Sequence, residues 1–457
     1  MKSAPYVVVG GGISGLVAAY TLAEQYPTRD IVLLEASHRL GGKIVTDRTQ
    51  GFVLEGGPDS ILRRKPEAME LADALGLKTI GTNPGARGAY IYYHKKFFPI
   101  PPGVQAGIPT DIKALLRSRL LSWSGKFRAA GDFFLPRISQ PDQDMALGRF
   151  LRYRFGDEVV DRLAAPMLSG IYAGDIDQMS LEATFPQLKD LEGTTKSLIL
   201  GSRQRQRFAK SQTGSVFASF AGGLESLTEA LAASLSAVEI RYGAEVTRLE
   251  ARADGVRVTT ADEIIVAQGV VLATPAFAAS ALIQQRSPMV AHALNDIQYP
   301  DLAVIGAVYA PGTIEVPDHK TGFLVPAQPG IRMTAATYVS SKWHYPGVPE
   351  GSVVRAFYGR AGEDILTQSD DELLDLYEWE MSRIFPKMAK PVYRRVFRHP
   401  RGIPQYQVGH MRKMAAALTQ LHQEWPEVVL AGAYIDGVGI PDCVRRARHA
   451  VLELAEA

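Results

Sequence analysis

The hydrophobic pattern opens with Tyr6-Val7-Val8-Val9, a short β-branched run. It leads into Gly10-Gly11-Gly12-Ile13-Ser14-Gly15, a helical stretch, and a second apolar run, Ile31-Val32-Leu33-Leu34, that stops at Glu35. Runs of this length and composition predict strands, so the order reads strand, glycine turn, helix, strand, acid. A matching piece stands at the far end of the chain: Val428-Val429-Leu430-Ala431, then Gly432, then Asp436-Gly437-Val438-Gly439-Ile440-Pro441 and a helix containing alanine and arginine. Pro441 suits the first turn of that helix, where no hydrogen bond is lost.

Between the ends, a helix is predicted to open at Gly222-Gly223-Leu224 and to run through Ala233. After it, 239–242, 244–251 and 255–260 alternate apolar and polar positions like antiparallel strands. Val270-Val271-Leu272-Ala273-Thr274-Pro275 reads as a buried strand returning to the first sheet. The expected fold class is α/β, a discontinuous Rossmann-like FAD-binding domain of 1–62, 222–282 and 428–457. Into it are inserted an α+β substrate-binding domain of 63–98, 186–221 and 283–427 and a helical domain of 99–185. In the former, Leu302 to Tyr309 and Arg355 to Tyr358 are expected strands, and Asp370 to Ile384 a helix. The run Ser202 to Lys210, with Arg203, Arg205, Arg207 and Lys210 and almost no apolar face, is expected to be a solvated loop.

Composition narrows the partners. With 50 basic against 48 acidic residues among 457, the chain offers no net field for nucleic acid. One cysteine, Cys443, excludes an internal disulfide, fits a reducing, cytoplasmic setting, and reads as a small buried residue rather than a reactive thiol. The N-terminal apolar run reads as a strand and not as a signal peptide. The longest apolar stretch, 270–283, is too short to span a membrane and is broken by Pro275, which leaves only peripheral membrane contact open. Nine histidines show no metal-ligand spacing, and neither a serine nucleophile elbow nor a P-loop occurs.

The candidate chemistry lies in the glycines. Gly10 lets the chain turn sharply out of the strand, Gly12 removes the side chain that would block a pyrophosphate, and Gly15 lets the helix approach the sheet. The pyrophosphate would rest on free N–H groups at the helix N-terminus. Glu35, about 20 residues beyond the last glycine, can accept both hydroxyls of an adenosine ribose. Gly41-Gly42-Lys43 and Gly56-Gly57-Pro58-Asp59-Ser60 add backbone-rich approaches that favour FAD over NAD, and the small residues before Pro441 suit the polar edge of a flavin ring.

Six segments, 56–60, 168–175, 198–201, 322–326, 404–406 and 437–443, resemble the FAD-dependent protoporphyrinogen oxidase family, above all its soluble branch acting on coproporphyrinogen III. The terminal motifs belong to a wider amine-oxidase-like superfamily; 169–175 is more specific. The resemblance implies a flavin domain, a substrate domain and a helical membrane-facing domain. It also implies six-electron oxidation of a porphyrinogen in haem biosynthesis over three FAD cycles, with oxygen as acceptor and hydrogen peroxide released, and transient contact with neighbouring pathway enzymes. Carried over by position, Gly10, Gly11, Gly12, Ile13, Ser14, Gly15, Glu35, Ala36, Lys43, Gly57, Pro58, Asp59, Ser60, Val246, Gly437, Val438 and Gly439 would hold FAD. Ser169, Gly170, Ile171, Ala173 and Gly174 would border the substrate cavity, and Leu324 would pack on a pyrrole ring. Lys43 is arginine in many relatives, and a lysine lacks the planar fork.

A porphyrinogen is an apolar ring with carboxylates, so its cavity should be apolar with cations at the rim. Arg63, Arg64 and Lys65 follow the 56–60 loop and are candidates to pair with a propionate; a solvated helix start is the competing reading. No residue stands out as a general base, and Asp175 reads better as a cap than as a catalyst. Apolar and basic residues interleave from Ala114 to Leu135, which suits either a membrane surface or core helices with a basic outer face. Coproporphyrinogen and protoporphyrinogen IX both remain open as substrates. An amine or carotenoid-precursor oxidase has no ready use for 169–175, and a non-catalytic carrier of prenylated proteins would show degraded flavin motifs.

Overall fold

The computed structural model describes residues 4–105, 107–208, 214–317 and 319–455. The β-branched runs assemble into a five-stranded parallel sheet in the order Val238–Tyr242, Ile31–Glu35, Tyr6–Val9, Gly269–Leu272, Val428–Leu430. Tyr6 is in register with both Ile31 and Gly269, and Val271 with Val429. Strands covered on both faces need no polar alternation, which is why these runs are unbroken.

One face of the sheet packs on the helices Ile13–Gln25 and Ile440–Ala455 through Leu16, Val17, Val444, Ala447 and Val451. The other packs on Ala276–Ile283, Pro288–Asn295 and His410–Glu424. Val238–Tyr242 departs from expectation: it runs parallel to Ile31–Glu35, not antiparallel to its successors. The helix Glu225–Ser234 before it forms the crossover that a parallel strand requires, and its partly exposed residues come from lying at the sheet edge. The antiparallel set is Arg248–Arg252, Gly255–Thr259 and Ile264–Ala267.

A second sheet of seven strands runs Tyr393–His399, Leu302–Tyr309, Ser352–Tyr358, Ala335–Tyr338, Gly322–Leu324, Tyr90–Tyr93, Lys96–Pro99. Helix Asp370–Ile384 covers it with Leu373, Tyr377, Met381 and Ile384, and begins with a reciprocal cap between Ser369 and Glu372. A helical region forms a third core around Phe150, Leu151, Phe155, Leu163 and Leu168. Arg154, fully buried there, is bonded to Glu192 and lies 3.5 Å from Asp132.

The segment expected to be a solvated loop at 202–210 is instead part of a helix, Leu198–Phe208. Its first turn supplies what the basic run lacks: Leu198 and Ile199 are buried, and Asp132 accepts the Ile199 N–H at 3.0 Å and the Ser197 hydroxyl at 2.6 Å. Arg203 and Arg205 are exposed beyond that anchor, and Lys210 lies outside the described residues. Between 114 and 135, Leu115, Leu120 and Leu121 are buried, whereas Trp123, Phe127 and Phe134 are 63%, 69% and 89% exposed. Among the described residues no helix is long and apolar enough to cross a membrane.

Candidate functional site

The glycine turn is shaped by what it leaves empty. Gly10 has φ +103°, and a Cβ on Gly15 would lie 1.7 Å from the Gly10 carbonyl oxygen, so the turn closes tightly on the helix start. A Cβ on Gly12 would meet nothing nearer than Gly42 Cα at 3.9 Å, and no side chain caps the helix that Gly12 begins. The N–H groups of the first helical turn therefore have no side-chain cap, and the space over Gly12 lies open at the positive end of a helix dipole. Glu35 accepts the Gly11 N–H at 2.6 Å and the Ser37 N–H at 2.8 Å. Ala244 N donates to the Glu35 carbonyl at 2.9 Å, which brings the Val246 loop alongside Glu35 and Ala36.

Two further loops stack on this turn. Gly41 N donates to the Gly11 carbonyl at 2.9 Å, and a Cβ on Gly57 would sit 2.0 Å from the Lys43 carbonyl oxygen. Gly57, Pro58, Asp59 and Ser60 thus continue the wall begun at Gly12. The Lys43 ammonium donates to the Arg401 carbonyl at 3.2 Å and lies 5.6 Å from the Tyr299 ring centre. Solvent reaches Lys43, yet surrounding protein desolvates it enough to push its ammonium down to about 8. A lysine lining a deep cleft satisfies both observations.

The chain's other end closes the cradle. Ser14 lies beside Cys443, so the first turns of the two long helices meet; burial pushes the Cys443 thiol up to about 12. Asp442 fills the space above Gly437, where a Cβ would lie 2.3 Å from its Cγ, and it also overhangs Gly439 beside Val438. Lys65 Nζ grips Asp442 at 2.5 and 2.6 Å. Thr274 Oγ1, Tyr434 OH and Asp436 Oδ1 are buried around these loops without a protein partner. Open space over Gly12, an uncapped helix start and orphaned polar atoms together fit a bound dinucleotide.

On the other side, helix Ala165–Tyr172 ends at Ala173 with φ +51°. A Cβ on Gly174 would lie 1.7 Å from Gln405 Oε1, while Gln405 Nε2 donates to the Tyr172 carbonyl at 2.7 Å. Tyr172 sits 6.4 Å from Tyr406, centre to centre, and burial, then Asp442, push its phenol up to about 12. Tyr406 in turn donates to the Ala433 carbonyl. Gly170 is exposed and faces Leu324, 3.8 Å from where its Cβ would be. For Ser169 and Ile171 the structure describes the backbone alone. Asp175 accepts the Asp177 N–H at 2.9 Å, a turn-forming role.

The three candidate cations differ in occupation. Lys65 belongs to Asp442, Arg63 donates to the Thr79 hydroxyl at 3.1 Å, and Arg64 is exposed. Sequence reasoning passed over Tyr172, Asp442, Gln405 and Tyr406 as neighbours, and Arg355, Lys342 and His399 behind the 56–60 loop. Tyr172, Gln405, Tyr406 and Asp442 lie inside the segments 168–175, 404–406 and 437–443 that carry the family resemblance, whereas Arg355, Lys342 and His399 lie outside all six. Surface cavities of about 420 and 500 Å³ lie elsewhere, along Gln328 to Glu380 and around Asn83 and His344, and share no residue with the cradle.

Residues 13–454 match the family of flavin-containing amine oxidoreductases. Coproporphyrinogen III oxidase of Bacillus subtilis (strain 168) is 34% identical, covering 97% of this chain and 96% of its own. The enzyme of that name from Staphylococcus aureus (strain NCTC 8325 / PS 47) is 34% identical, covering 98% of each. A crystal structure from Exiguobacterium sp. 255-15, assigned as a protoporphyrinogen oxidase, superposes with a TM-score of 0.90 at 35% identity over 100% of both chains. Cyclohexylamine oxidase from Brevibacterium oxydans IH-35A, 17% identical over 99% of both chains with a TM-score of 0.70, shares the fold. A match spanning nearly the whole chain, on a cradle built from both of its ends, means that this protein belongs to the flavin-containing amine oxidoreductase family.

Proposed function

We propose that the chain is an FAD-dependent porphyrinogen oxidase that converts coproporphyrinogen III to coproporphyrin III with oxygen as acceptor. The observation that carries this reading is the meeting of the specific 169–175 segment with the dinucleotide cradle, through Tyr172, Tyr406 and Asp442, in a chain 34% identical to coproporphyrinogen oxidases. Protoporphyrinogen IX is the alternative, supported by a chloroplast protoporphyrinogen oxidase of Arabidopsis thaliana 30% identical over 98% of this chain. Amine oxidation rests on the breadth of the matched family and on a fold shared with cyclohexylamine oxidase at 17% identity.

FAD, when bound, supplies the two-electron chemistry, repeated three times for each porphyrinogen. Gly10, Gly11, Gly12, Ile13, Ser14, Gly15 and Lys43 would hold its pyrophosphate, Glu35 and Ala36 its ribose, Val246 its adenine, and Gly57 to Ser60 and Gly437 to Gly439 the remainder. The protein's own contribution is placement: Gly170, Leu324 and the end of helix Ala165–Tyr172 would form an apolar wall that fixes the ring and keeps water from it. Arg64, the cation not engaged by a neighbour in the cradle, is the candidate to meet a propionate at the rim. The three-part division read from the sequence is carried forward as part of this proposal, although Leu188, Leu198 and Ile199 pack into the helical core and Val290, Leu294, Met414 and Leu421 against the parallel sheet, outside the substrate unit first assigned to them.

The cytoplasm is the compartment we propose, with peripheral membrane contact through Trp123, Phe127 and Phe134. These rings are exposed together with Arg117, Arg119 and Arg128, a face suited to an anionic interface. Binding to anionic vesicles at low salt, lost in a Trp123→Ser, Phe127→Ser variant, supports that contact; no co-sedimentation rejects it.

The deciding experiment compares growth of porphyrin fluorescence from coproporphyrinogen III and protoporphyrinogen IX under air, using the purified flavoprotein. Faster growth with the former is expected. A preference for the latter exchanges the two readings, and no growth with either rejects both.

A further inference from the structure

The 56–60 loop is held from behind by the seven-stranded sheet and the short helix beside it. The Gly56 carbonyl lies 2.7 Å from His399 Nε2, and the Gly57 carbonyl accepts from Arg355 Nη2 at 2.5 Å. The Asp59 carboxylate sits 2.7 Å from Lys342 Nζ and 3.3 Å from Arg355 Nη1, and its other oxygen accepts the Ser60 hydroxyl at 2.9 Å. Arg355 is 1% exposed, and its Nε has no protein partner. Two cations therefore face one carboxylate. Lys43, whose backbone Gly57 almost touches, is a third cation. The other acid that Arg355 attracts, Glu55, is raised by burial to about 7 and is therefore only partly ionised at neutral pH, and burial holds the His399 imidazole below its usual range, so the excess is reduced but not cancelled.

A buried positive excess is costly unless an anion answers it. The loop's other neighbour is the cradle wall, where Gly57 packs on the Lys43 backbone, and that is where an anion could answer it. The inference rests on the reading that a flavin occupies that cradle. Uptake of two electrons and one proton by the neutral oxidised flavin ring leaves it with one added negative charge. Oxygen, taking the two electrons and two protons, leaves as hydrogen peroxide and restores the neutral ring. Charge near the ring edge shifts the balance between those two states.

We infer that Arg355 and Lys342, acting through Asp59, are positioning residues that fix the 56–60 loop against the flavin and leave there a positive excess favouring the reduced, anionic form. Neither touches a reacting atom, so the test reads the flavin itself. Lys342→Met is the safer deletion, because Asp59 keeps Arg355 as its partner. In the purified holoprotein, Lys342→Met is expected to lower the flavin midpoint potential by about 30 mV, a tenfold change for a two-electron couple. Asp59→Asn, which removes the anion and keeps both cations, is expected to raise it. Lys342→Arg should restore the native value, and the flavin absorption envelope should move in Lys342→Met and return in Lys342→Arg. Potentials that stay at the native value in both Lys342→Met and Asp59→Asn, or that move in the same direction, overturn the inference and leave a packing role only. A native protein that binds no flavin overturns the cradle reading instead.

Discussion

Lys65 and Asp442 stand 377 positions apart in the chain, and the lysine ammonium lies 2.5 and 2.6 Å from the two carboxylate oxygens. The pair fastens the turn after the 56–60 loop to the first turn of the C-terminal helix. Asp442 is 8% exposed and also fills the space over Gly437, so the bond fixes the backbone on which a flavin edge would rest.

Breaking that pair should loosen the cofactor more than the fold. A charge-assisted bond of this kind is worth about 1.5–3 kcal/mol. Asp442→Asn and Lys65→Met are each expected to lower the temperature at which flavin fluorescence is released on heating. Because they share one bond, the double variant should fall no further than the worse single variant. Additive losses would show that each side chain works through other contacts.

Gly12 and Gly15 lie three positions apart and should fail in opposite ways. Gly12 has φ −72° and ψ 179°, which alanine adopts freely, and its Cβ would enter empty space. Gly12→Ala should fold with a near-native circular dichroism spectrum yet bind FAD about 10- to 100-fold more weakly, a loss of about 1.4–2.8 kcal/mol. Gly15→Ala must put a methyl 1.7 Å from a carbonyl oxygen and should not yield folded protein. Native FAD affinity in Gly12→Ala would move the pyrophosphate elsewhere.

Much of this cradle was legible because its parts are local. A glycine turn between a strand and a helix, or a proline in a helix's first turn, declares itself within a few residues, and Leu302–Tyr309 and Asp370–Ile384 were equally plain from β-branching and period. What stayed hidden depends on which distant strand lies alongside. Nothing in the residues flanking Arg355 says that its guanidinium ends at Gly57, since that follows from sheet order. The basic run 202–210 misled for a related reason, as its apolar anchor, Leu198 and Ile199, precedes it, and its capping acid, Asp132, is far away in sequence.

Lys43 gives a pH dependence whose sign is fixed. Burial pushes the free protein's ammonium down to about 8. An anionic diphosphate nearby raises it again, so FAD binding takes up a proton above pH 8 and none below. The dissociation constant should therefore be level from pH 6 to about 7.5 and then rise, by at most tenfold per pH unit, toward the bound-state value. Lys43→Arg keeps its charge throughout and should stay level. Equal profiles for the two proteins, followed by flavin fluorescence quenching, would remove Lys43 from the phosphate.

Arg154 offers a test of the helical region independent of the flavin. Its guanidinium and the Asp132 and Glu192 side chains are all fully buried. It also donates to the Lys196, Leu135 and Pro136 carbonyls at 2.9, 3.3 and 3.1 Å, while Glu192 accepts the Ser139 N–H at 2.8 Å. Arg154→Met leaves two carboxylates without their cation in a water-poor core, a loss of about 3–5 kcal/mol. That should appear as an earlier urea transition of the helical region, read by protease cleavage in helix Leu147–Phe155. Cys443 supplies the control: buried against Ser14, it should resist thiol reagents in native and variant proteins alike until the dinucleotide unit opens. If Arg154→Met exposes Cys443 at the same urea concentration at which the helices are cut, the two regions unfold as one cooperative body; cleavage well before labelling shows that the helical region opens by itself.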